Sequence, residues 1–323
     1  MSKKKRTQAE AVAVPSKIYD FCSKKKMILG IFIGVIVVLL VGLIARGVNF
    51  AIEFKGGTML TYSYSGDVDT NAVKDTVKGV VNSNVNVRRG ESLDDGGNQL
   101  IISFTSNEGL TVDRQTELTN ALRTAFPDNA IELYDSNDVN PSSGREFLLK
   151  CMVAVIFAAV VIIIYIAFRF RNIGGWLAGL SSVVALLHDV LVAITTSVIL
   201  GFEFNSNTVA VILTILGYSI NNTIVIYDRI RENHALMPKA GLHEVINLSN
   251  TQSLKRSIRT SITTVSTMFI ITVVVLVTGY DSLLTFSVPL MMGLISGTYT
   301  SIFVAPVTWQ WWMGKKSAKA KKA

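Results

Sequence analysis

Six long apolar runs, each with few or no charged residues, dominate the hydrophobic pattern of the chain. The runs are 27–45, 151–168, 173–202, 204–227, 260–280 and 282–314. About 20 apolar residues suffice for one α-helix to cross a bilayer. The pattern therefore predicts an α-helical integral membrane protein whose six transmembrane helices contact the lipid bilayer, one before and five after a long polar segment.

The polar segment between the first two runs carries the signals of a small α+β domain. Alternating or β-branched residues predict strands at 58–65, 85–89, 99–104 and 130–135. Apolar residues at helical spacing predict amphipathic helices at 69–83 and 112–126. A turn rich in Gly and Asp at 94–97 joins the two central strands. The order β-α-β-β-α-β predicts a ferredoxin-like fold.

Basic residues are distributed unevenly among the segments that flank the apolar runs. Of the 31 Lys and Arg residues, 21 lie in 1–26, 169–171, 229–259 and the end of the chain after Gly314. Six crossings put these four segments on one side, and the positive-inside rule makes that side the cytoplasm. Residues 50–146 carry 15 acidic and eight basic residues and are predicted to lie outside.

These assignments predict a multi-pass protein with both termini in the cytoplasm. Its parts are a basic cytoplasmic N-terminus at 1–26, a first transmembrane helix at 27–49, an extracytoplasmic domain at 50–146, a five-helix transmembrane bundle at 147–314 and a basic cytoplasmic tail at 315–323. The first apolar run is longer than a usual signal-peptide core and no A-x-A site follows it, so we expect no cleavage.

Several classes of function are disfavoured by the same residues. The net charge of +8 follows the predicted topology, so no nucleic-acid partner is expected. Cys22 and Cys151 fall on opposite sides of the membrane and have neither metal nor redox spacing. The external segment has no His, no Cys and no converging catalytic set. We therefore expect no catalytic residue, metal or cofactor, and the chain is predicted not to be an enzyme.

The fourth apolar run contains two adjacent amides, Asn221 and Asn222. At 100° per residue, one stripe of the helix holds Thr214, Gly217, Tyr218, Asn221, Asn222, Asp228, Arg229 and Glu232. Ser219 and Thr223 are predicted to point elsewhere. A polar stripe on a membrane helix faces a partner helix or a wet cavity rather than lipid. Hydrogen bonds that merely join neighbouring helices are the alternative interpretation.

Two more helices carry polar residues within the apolar runs. Arg256, Thr260, Thr263 and Thr267 share one face of the fifth helix, and His188 and Asp189 lie midway along the third. Asp189 is either fixed by His188 or a hydroxyl in a structural role, or part of a proton relay. The relay hypothesis places Asn221, Asn222, Arg256, Asp189, His188, Thr260 and Thr263 around a common interior.

Several motifs along the chain resemble those of the SecF family of the RND superfamily. The motifs that carry the resemblance are IEFKGGT at 52–58, LLHDV at 186–190, GFEFN at 201–205, LTILGYSINNTIVIYDRIREN at 213–233, NLSNTQSLKRSIRTSITT at 247–264 and SGTYTSIFVAP at 296–306. They contain the motif residues Glu53, Gly56, Gly57, Gly217, Tyr218, Asp228, Arg229, Arg231 and Glu232.

The resemblance implies a function in protein export. Members of this family pair with SecD in a twelve-helix bundle of the bacterial cytoplasmic membrane. The pair works with the SecYEG channel and draws unfolded exported polypeptides outward, driven by proton flow. The resemblance also implies that Arg256 of this chain lies at the position of the family's relay arginine.

Two residues depart from the family pattern. Asn222 stands where the family pattern GYSIND has Asp, and Glu53 stands where the motif usually has Asp, which preserves the charge. An amide can form hydrogen bonds with a carboxylate or water but cannot titrate. The proton step must then rest on Asp189 or on a SecD carboxylate, or it is weakened.

Two other functions compete with this interpretation. A half-size RND exporter of small molecules would need a larger external domain, and an intramembrane enzyme would need a nucleophile–base pair or a metal set. The external domain itself is either a passive spacer or a part that binds emerging polypeptide weakly and moves. Movement is favoured by the flexible-looking links KGGT at 55–58 and NPSSG at 140–144.

Overall fold

The structure, a computed structural model, describes residues 15, 17–91, 97–105, 110–278 and 281–320. Its α-helices are α1 (Lys25–Arg46), α2 (Ile52–Lys55), α3 (Thr70–Val81), α4 (Val112–Ala125), α5 (Pro141–Arg169), α6 (Gly175–Ile199), α7 (Ser206–Leu236), α8 (Leu242–Thr278), α9 (Asp281–Tyr299) and α10 (Ala305–Ala320). Its strands are β1 (Gly57–Tyr64), β2 (Val85–Glu91), β3 (Asn98–Phe104) and β4 (Glu132–Val139). Two 3-10 turns lie at Pro127–Asn129 and Arg171–Ile173.

Six helical segments are long and apolar enough to cross a membrane, which confirms the predicted one-plus-five architecture. They are α1, α5, α6, α7, α8 and a last span, Leu283–Lys315, formed by α9, a π-helical turn at Thr300–Val304 and α10. The chain is thus a multi-pass membrane protein. Residues 1–14 and 321–323 of the predicted cytoplasmic ends lie outside the described residues.

Three of the spans extend well beyond their apolar runs. α5 begins at Pro141, well before the apolar run at 151. α7 continues to Leu236, and α8 begins at Leu242, well before the apolar run at 260. The first part of α8 is buried all round over residues 245–250, where it includes Val245, Ile246 and Leu248. Helix ends are therefore set here by capping and packing rather than by the limits of the apolar run. The start of α7 is fixed by a capping box, in which Asn205 and Thr208 bond to each other's backbone amides.

The domain between α1 and α5, which we call the external domain after its predicted position, has the predicted ferredoxin-like topology. Its four strands follow the order β2-β3-β1-β4, and all neighbouring strands are antiparallel. The apolar face of the sheet packs against α3 and α4. The buried core residues are Leu60, Tyr62, Tyr64, Val68, Val73, Val77, Val85, Leu100, Ile102, Phe104, Leu118, Leu122 and Ile131. Most of the predicted turn at 94–97 lies outside the described residues.

Candidate functional site

Asp189 lies in the middle of α6 and is completely buried. Among the described residues it is the only buried acidic side chain. Three hydroxyl groups donate hydrogen bonds to its carboxylate, and we call them the hydroxyl cage. Ser219 donates to Oδ2 at 2.8 Å, Ser296 donates to Oδ1 at 2.6 Å, and Thr300 lies 2.9 Å from Oδ1 and 2.8 Å from Oδ2. The buried carboxylate thus has donors from α7, α9 and the π-helical turn.

The last transmembrane span is shaped to bring these hydroxyls to Asp189. A Cβ atom at Gly297 would lie 3.1 Å from the Ser219 Oγ and 3.4 Å from the Asp189 Oδ2, so a glycine lets α9 approach α7 and α6 closely. The π-helical turn that follows buries both Thr300 and Ser301. Such wider turns often occur at functional sites because they redirect side chains.

The hydroxyl contacts continue from the cage along α7. Ser301 donates to the Ser219 carbonyl oxygen at 3.1 Å, and Thr223 donates to the Ser301 Oγ at 3.0 Å. Ser219 and Thr223, which were predicted to point away from the polar stripe, thus lie on the buried face of α7 that carries the hydroxyl contacts. The prediction followed the amides and charges of α7, whereas the buried face of α7 is the one that packs on α6 and the last span.

The Ser296 hydroxyl group links His188 to Asp189 by hydrogen bonds. Its Nδ1 lies 3.0 Å from the Ser296 Oγ and 3.6 Å from the Asp189 Oδ1. Because the single Ser296 hydroxyl proton is directed at Asp189, Ser296 accepts a hydrogen bond from an Nδ1 proton of His188. The imidazole ring also stacks on Phe32 of α1, with 4.7 Å between ring centroids. Its buried Nε2 has no hydrogen-bond partner among the described residues.

The two amides of α7 have different environments. Asn222 is buried on the same face of the helix as Ser219, and its Nδ2 has no hydrogen-bond partner in the described part of the chain. Asn221 is exposed. Gly217 is also exposed, with open space where a Cβ would be, and Tyr218 is half-buried. Part of the predicted polar stripe therefore lies on an open face of the bundle.

The predicted polar face of α8 lies apart from Asp189. Arg256, Thr260 and Thr263 are all exposed, and the Thr263 hydroxyl donates back to carbonyl oxygens of its own helix. Over residues 256–263 the buried hydroxyls of α8 belong instead to Ser257 and Ser261. The expected common interior is thus divided between a closed hydroxyl cage and an exposed polar face.

Charged motif residues join the ends of α5, α7 and α8 on the side opposite the external domain. Asp228 pairs with Arg169 of α5 at 3.0 Å and with Arg231 at 2.9 Å. Arg229 pairs with Glu232 at 2.6 Å and donates a hydrogen bond to Gln252 of α8. A cavity of about 720 Å³ is lined by Asp228, Arg229, Arg231, Glu232, Gln252 and Arg256. The motif therefore ties together the ends of three membrane helices.

The glycine motif before β1 fixes the external domain to the bundle. A Cβ atom at Gly56 would lie 2.6 Å from the Pro141 Cα, and one at Gly57 would lie 2.3 Å from the Phe104 carbonyl oxygen. Both glycines have positive φ, at 84° and 148°. The neighbouring Glu53 accepts a hydrogen bond from the Ser206 amide at 2.8 Å, at the first residue of α7. The link that looked flexible in the sequence is closely packed.

The second link and a polar contact complete this junction. The NPSSG segment forms the start of α5, where Asn140 caps the helix by accepting a hydrogen bond from the Ser142 amide. Arg88 of β2 pairs with Glu203, in the loop before α7, at 2.8 Å. Both side chains of this pair are about four-fifths buried, with 22% and 19% of their surface exposed. The sheet is thus joined directly to the loop between α6 and α7.

Comparison with known protein families agrees with these motifs. The family described as "Protein export membrane protein SecD/SecF, C-terminal" matches residues 118–315, and the "SecD/SecF GG Motif" matches residues 41–68. The first match covers more than half of the chain and includes α5 to α9, with the hydroxyl cage. The second includes Glu53, Gly56 and Gly57.

Relatives and solved structures agree with the same family. Protein translocase subunits SecF from Rickettsia typhi and Endomicrobium trichonymphae are 34% and 31% identical, over 91% and 86% of this chain and 92% and 86% of their own lengths. The crystal structure of SecDF, a translocon-associated membrane protein from Thermus thermophilus, superposes with a TM-score of 0.75 at 28% identity, covering 93% of this chain. The chain spans about two fifths of that SecDF chain, at 39%. By its motifs, its fold and these similarities, the chain belongs to the SecF family of protein translocase subunits.

Proposed function

We propose that this chain acts with a SecD-like subunit as a proton-driven auxiliary part of the Sec translocase. An auxiliary role in the translocase follows from membership of the SecF family. In this proposal the pair lies in the bacterial cytoplasmic membrane beside the SecYEG channel and promotes the outward movement of unfolded polypeptides. The basic flanking segments support an orientation in which both termini are cytoplasmic and residues 50–146 lie outside.

The observation that carries the proton-driven part of this proposal is the Asp189 carboxyl group with its hydroxyl cage. A hydroxyl group can donate to a carboxylate or accept a proton from a carboxylic acid. Ser219, Ser296 and Thr300 can therefore satisfy Asp189 in both protonation states by rotating their hydroxyl groups. Asn222 cannot take this role because an amide does not titrate in this range.

The open polar face supports the pairing with a second subunit. Asn221, Arg256, Thr260 and Thr263 are exposed on α7 and α8 in the chain alone. Polar residues in membrane helices face a partner or a water-filled cavity rather than lipid. We propose that a SecD-like subunit packs on this face and that the relay is completed between the two subunits.

The test is a comparison of Asp189→Asn with the parent chain in cells that lack their own SecF. The rate of export of a secreted reporter is measured with and without an uncoupler. Asn preserves the shape of Asp189 but removes the titrating group, so we expect the export that depends on the proton gradient to be lost. Asp135→Asn makes the same change on the exposed strand β4 and should leave export unchanged.

The amounts of both variants in the membrane are compared by immunoblot, so that poor folding is distinguished from loss of coupling. Full gradient dependence of Asp189→Asn would contradict the proposal for this residue. In that case the proton path would lie in the SecD-like subunit.

A further inference from the structure

A basic cavity of about 480 Å³ lies beside the N-terminal half of α8. It is bounded by α8 and by the segment that precedes α1. We call it the basic niche, and it is lined by Pro15, Lys17, Tyr19, Thr251, Leu254, Lys255, Ile258 and Arg259. Three of these residues are cationic and none is acidic. The remaining wall is largely apolar.

The three cations of the basic niche have no acidic partner within the described part of the chain. Lys17 makes a cation–π contact with Tyr19, at 5.4 Å from the ring centroid. Elsewhere at the same end of the bundle, Arg169 and Arg231 both have an acidic partner, the carboxylate of Asp228. The niche is therefore a local concentration of positive charge that is open to an anion.

The wall opposite α8 is held in place by a network of hydrogen bonds. Asn247 of α8 accepts from the amides of Phe21 and Cys22, at 3.0 and 3.2 Å, and donates to the Asp20 carboxylate at 2.8 Å. The Tyr19 amide donates to the Thr251 hydroxyl at 3.1 Å. Hydrogen bonds from Ser23, and then from Asn247, hold the pKa of Asp20 well below its usual range, so this network stays charged near neutral pH.

The position of the niche along α8 favours an amphiphilic ligand. Lys255 and Arg259 are one turn apart, and the exposed apolar side chains of Ile258 and Ile262 lie beside and beyond them on the same side of the helix. Beyond Arg259 the helix enters its apolar span. A ligand on this face meets cations at the membrane surface and an apolar surface immediately deeper.

We propose that the basic niche binds the phosphate-bearing headgroup of an anionic phospholipid such as phosphatidylglycerol. The headgroup contacts Lys17, Lys255 and Arg259, and an acyl chain lies along Ile258 and Ile262. Clusters of Lys and Arg at a membrane surface attract anionic lipids in this way. The bound lipid links the N-terminal segment to α8 and fixes the depth of α8 in the bilayer.

The test is native mass spectrometry of the full chain in neutral detergent, titrated with phosphatidylglycerol or with phosphatidylcholine of the same acyl chains. The double variant Lys255→Gln/Arg259→Gln removes two of the three charges. From the attraction of a single cation to an anionic membrane, we expect about a 25-fold loss of affinity for phosphatidylglycerol. Affinity for phosphatidylcholine should be low and unchanged.

Two further variants serve as controls. Arg171→Gln/Lys239→Gln removes two exposed cations from the same end of the protein, outside the niche, and should retain binding. Lys255→Arg/Arg259→Lys preserves both charges and should also retain it. Equal losses in the niche variant and the outside variant would overturn the proposal, and so would unchanged binding in the niche variant. Displacement of phosphatidylglycerol by an equal concentration of inorganic phosphate would also overturn it, since the site would then take free phosphate.

Discussion

Asn222 is a buried residue whose hydrogen bonding is incomplete within the described part of the chain. It is buried beside the hydroxyl cage, yet its Nδ2 has no hydrogen-bond partner among the described residues. Leaving such a group unpaired costs about 1–3 kcal/mol. We infer that a water molecule or a side chain of a second subunit satisfies the amide in the assembled protein. On this interpretation Asn222 orients groups of the relay but does not itself carry a proton.

Changing Asn222 tests this role. Asn222→Asp should be tolerated and should increase the dependence of export on the proton gradient, because a second titrating group is then available. A proton crossing 100 mV releases roughly 2.3 kcal/mol, which only a titrating site can take up. Asn222→Leu should impair export because it leaves the partner of the amide unpaired. The reporter assay with and without uncoupler measures both effects, and normal export by Asn222→Leu would mean that the amide only fills space.

The hydroxyl cage illustrates how far single residues could be predicted from the sequence. Asp189 and His188 were found because charged residues are conspicuous in an apolar run. Ser219, Ser296 and Thr300 were missed because hydroxyls are common in membrane helices and often bond to their own backbone. Their convergence depends on the π-helical turn and on Gly297, which are features of tertiary packing. The hydroxyl-rich SGTYTS sequence at 296–301 was the available signal.

At the scale of elements, the six spans and the four strands were predicted well because each follows from a local periodicity. The extensions of α7 and α8 were not, since their polar ends are held by contacts with other elements. Similarly, the two links of the external domain looked flexible because they contain Gly, Pro and Ser. Gly56 and Gly57 serve instead to permit close packing on Pro141 and Phe104.

Glu53 tests the importance of this junction for stability. Its carboxylate accepts a hydrogen bond at the N-terminus of α7, where the helix dipole favours negative charge. We expect Glu53→Ala to lower the free energy of unfolding by about 1–2 kcal/mol. Glu53→Gln preserves an acceptor without the charge and should lose less. Thermal unfolding in detergent measures the difference, and equal stability of Glu53→Ala and the parent would show that the contact is dispensable.

The reactivity of Cys22 reports whether the segment that precedes α1 is attached to α8. Burial raises the pKa of the Cys22 thiol to about 12, so the reactive thiolate is scarce between pH 7 and pH 9. In a Cys151→Ser background, Cys22 should react slowly with a maleimide throughout this range. Asn247→Leu removes the acceptor of the Phe21 and Cys22 amides.

Release of the segment by Asn247→Leu should return the Cys22 pKa towards its ordinary value near 8.5. Labelling should then become at least about tenfold faster and should increase with pH from 7 to 9. Asn120→Leu, at an exposed position of α4, is the matched control and should leave Cys22 protected. Equally slow labelling in the Asn247 variant would mean that other contacts hold the segment in place.

At the scale of the whole molecule, the external domain and the bundle are joined on the loop between α6 and α7. Arg88 pairs with Glu203 in this loop, and the Ala51 amide donates to the Phe204 carbonyl oxygen at 3.0 Å. Glu53 accepts a hydrogen bond from the Ser206 amide, where the loop ends and α7 begins. The same loop leads into α7, which carries Ser219 and Asn222. We propose that a change at Asp189 is transmitted along α7 to this junction and moves the external domain during export.

A reversible crosslink between positions 88 and 203 tests this movement. Arg88→Cys and Glu203→Cys are combined in a background without Cys22 and Cys151, and a short thiosulfonate crosslinker joins the new thiols. If the domain must leave this contact, export of the reporter should decrease on crosslinking and recover after reduction. A crosslink between Asp67→Cys and Arg89→Cys, which form an ion pair within the domain at 3.0 Å, is the matched control and should not affect export. Normal export by the 88–203 crosslinked protein would mean that the domain works while docked, so that only its surface, and not its movement, contributes to transport.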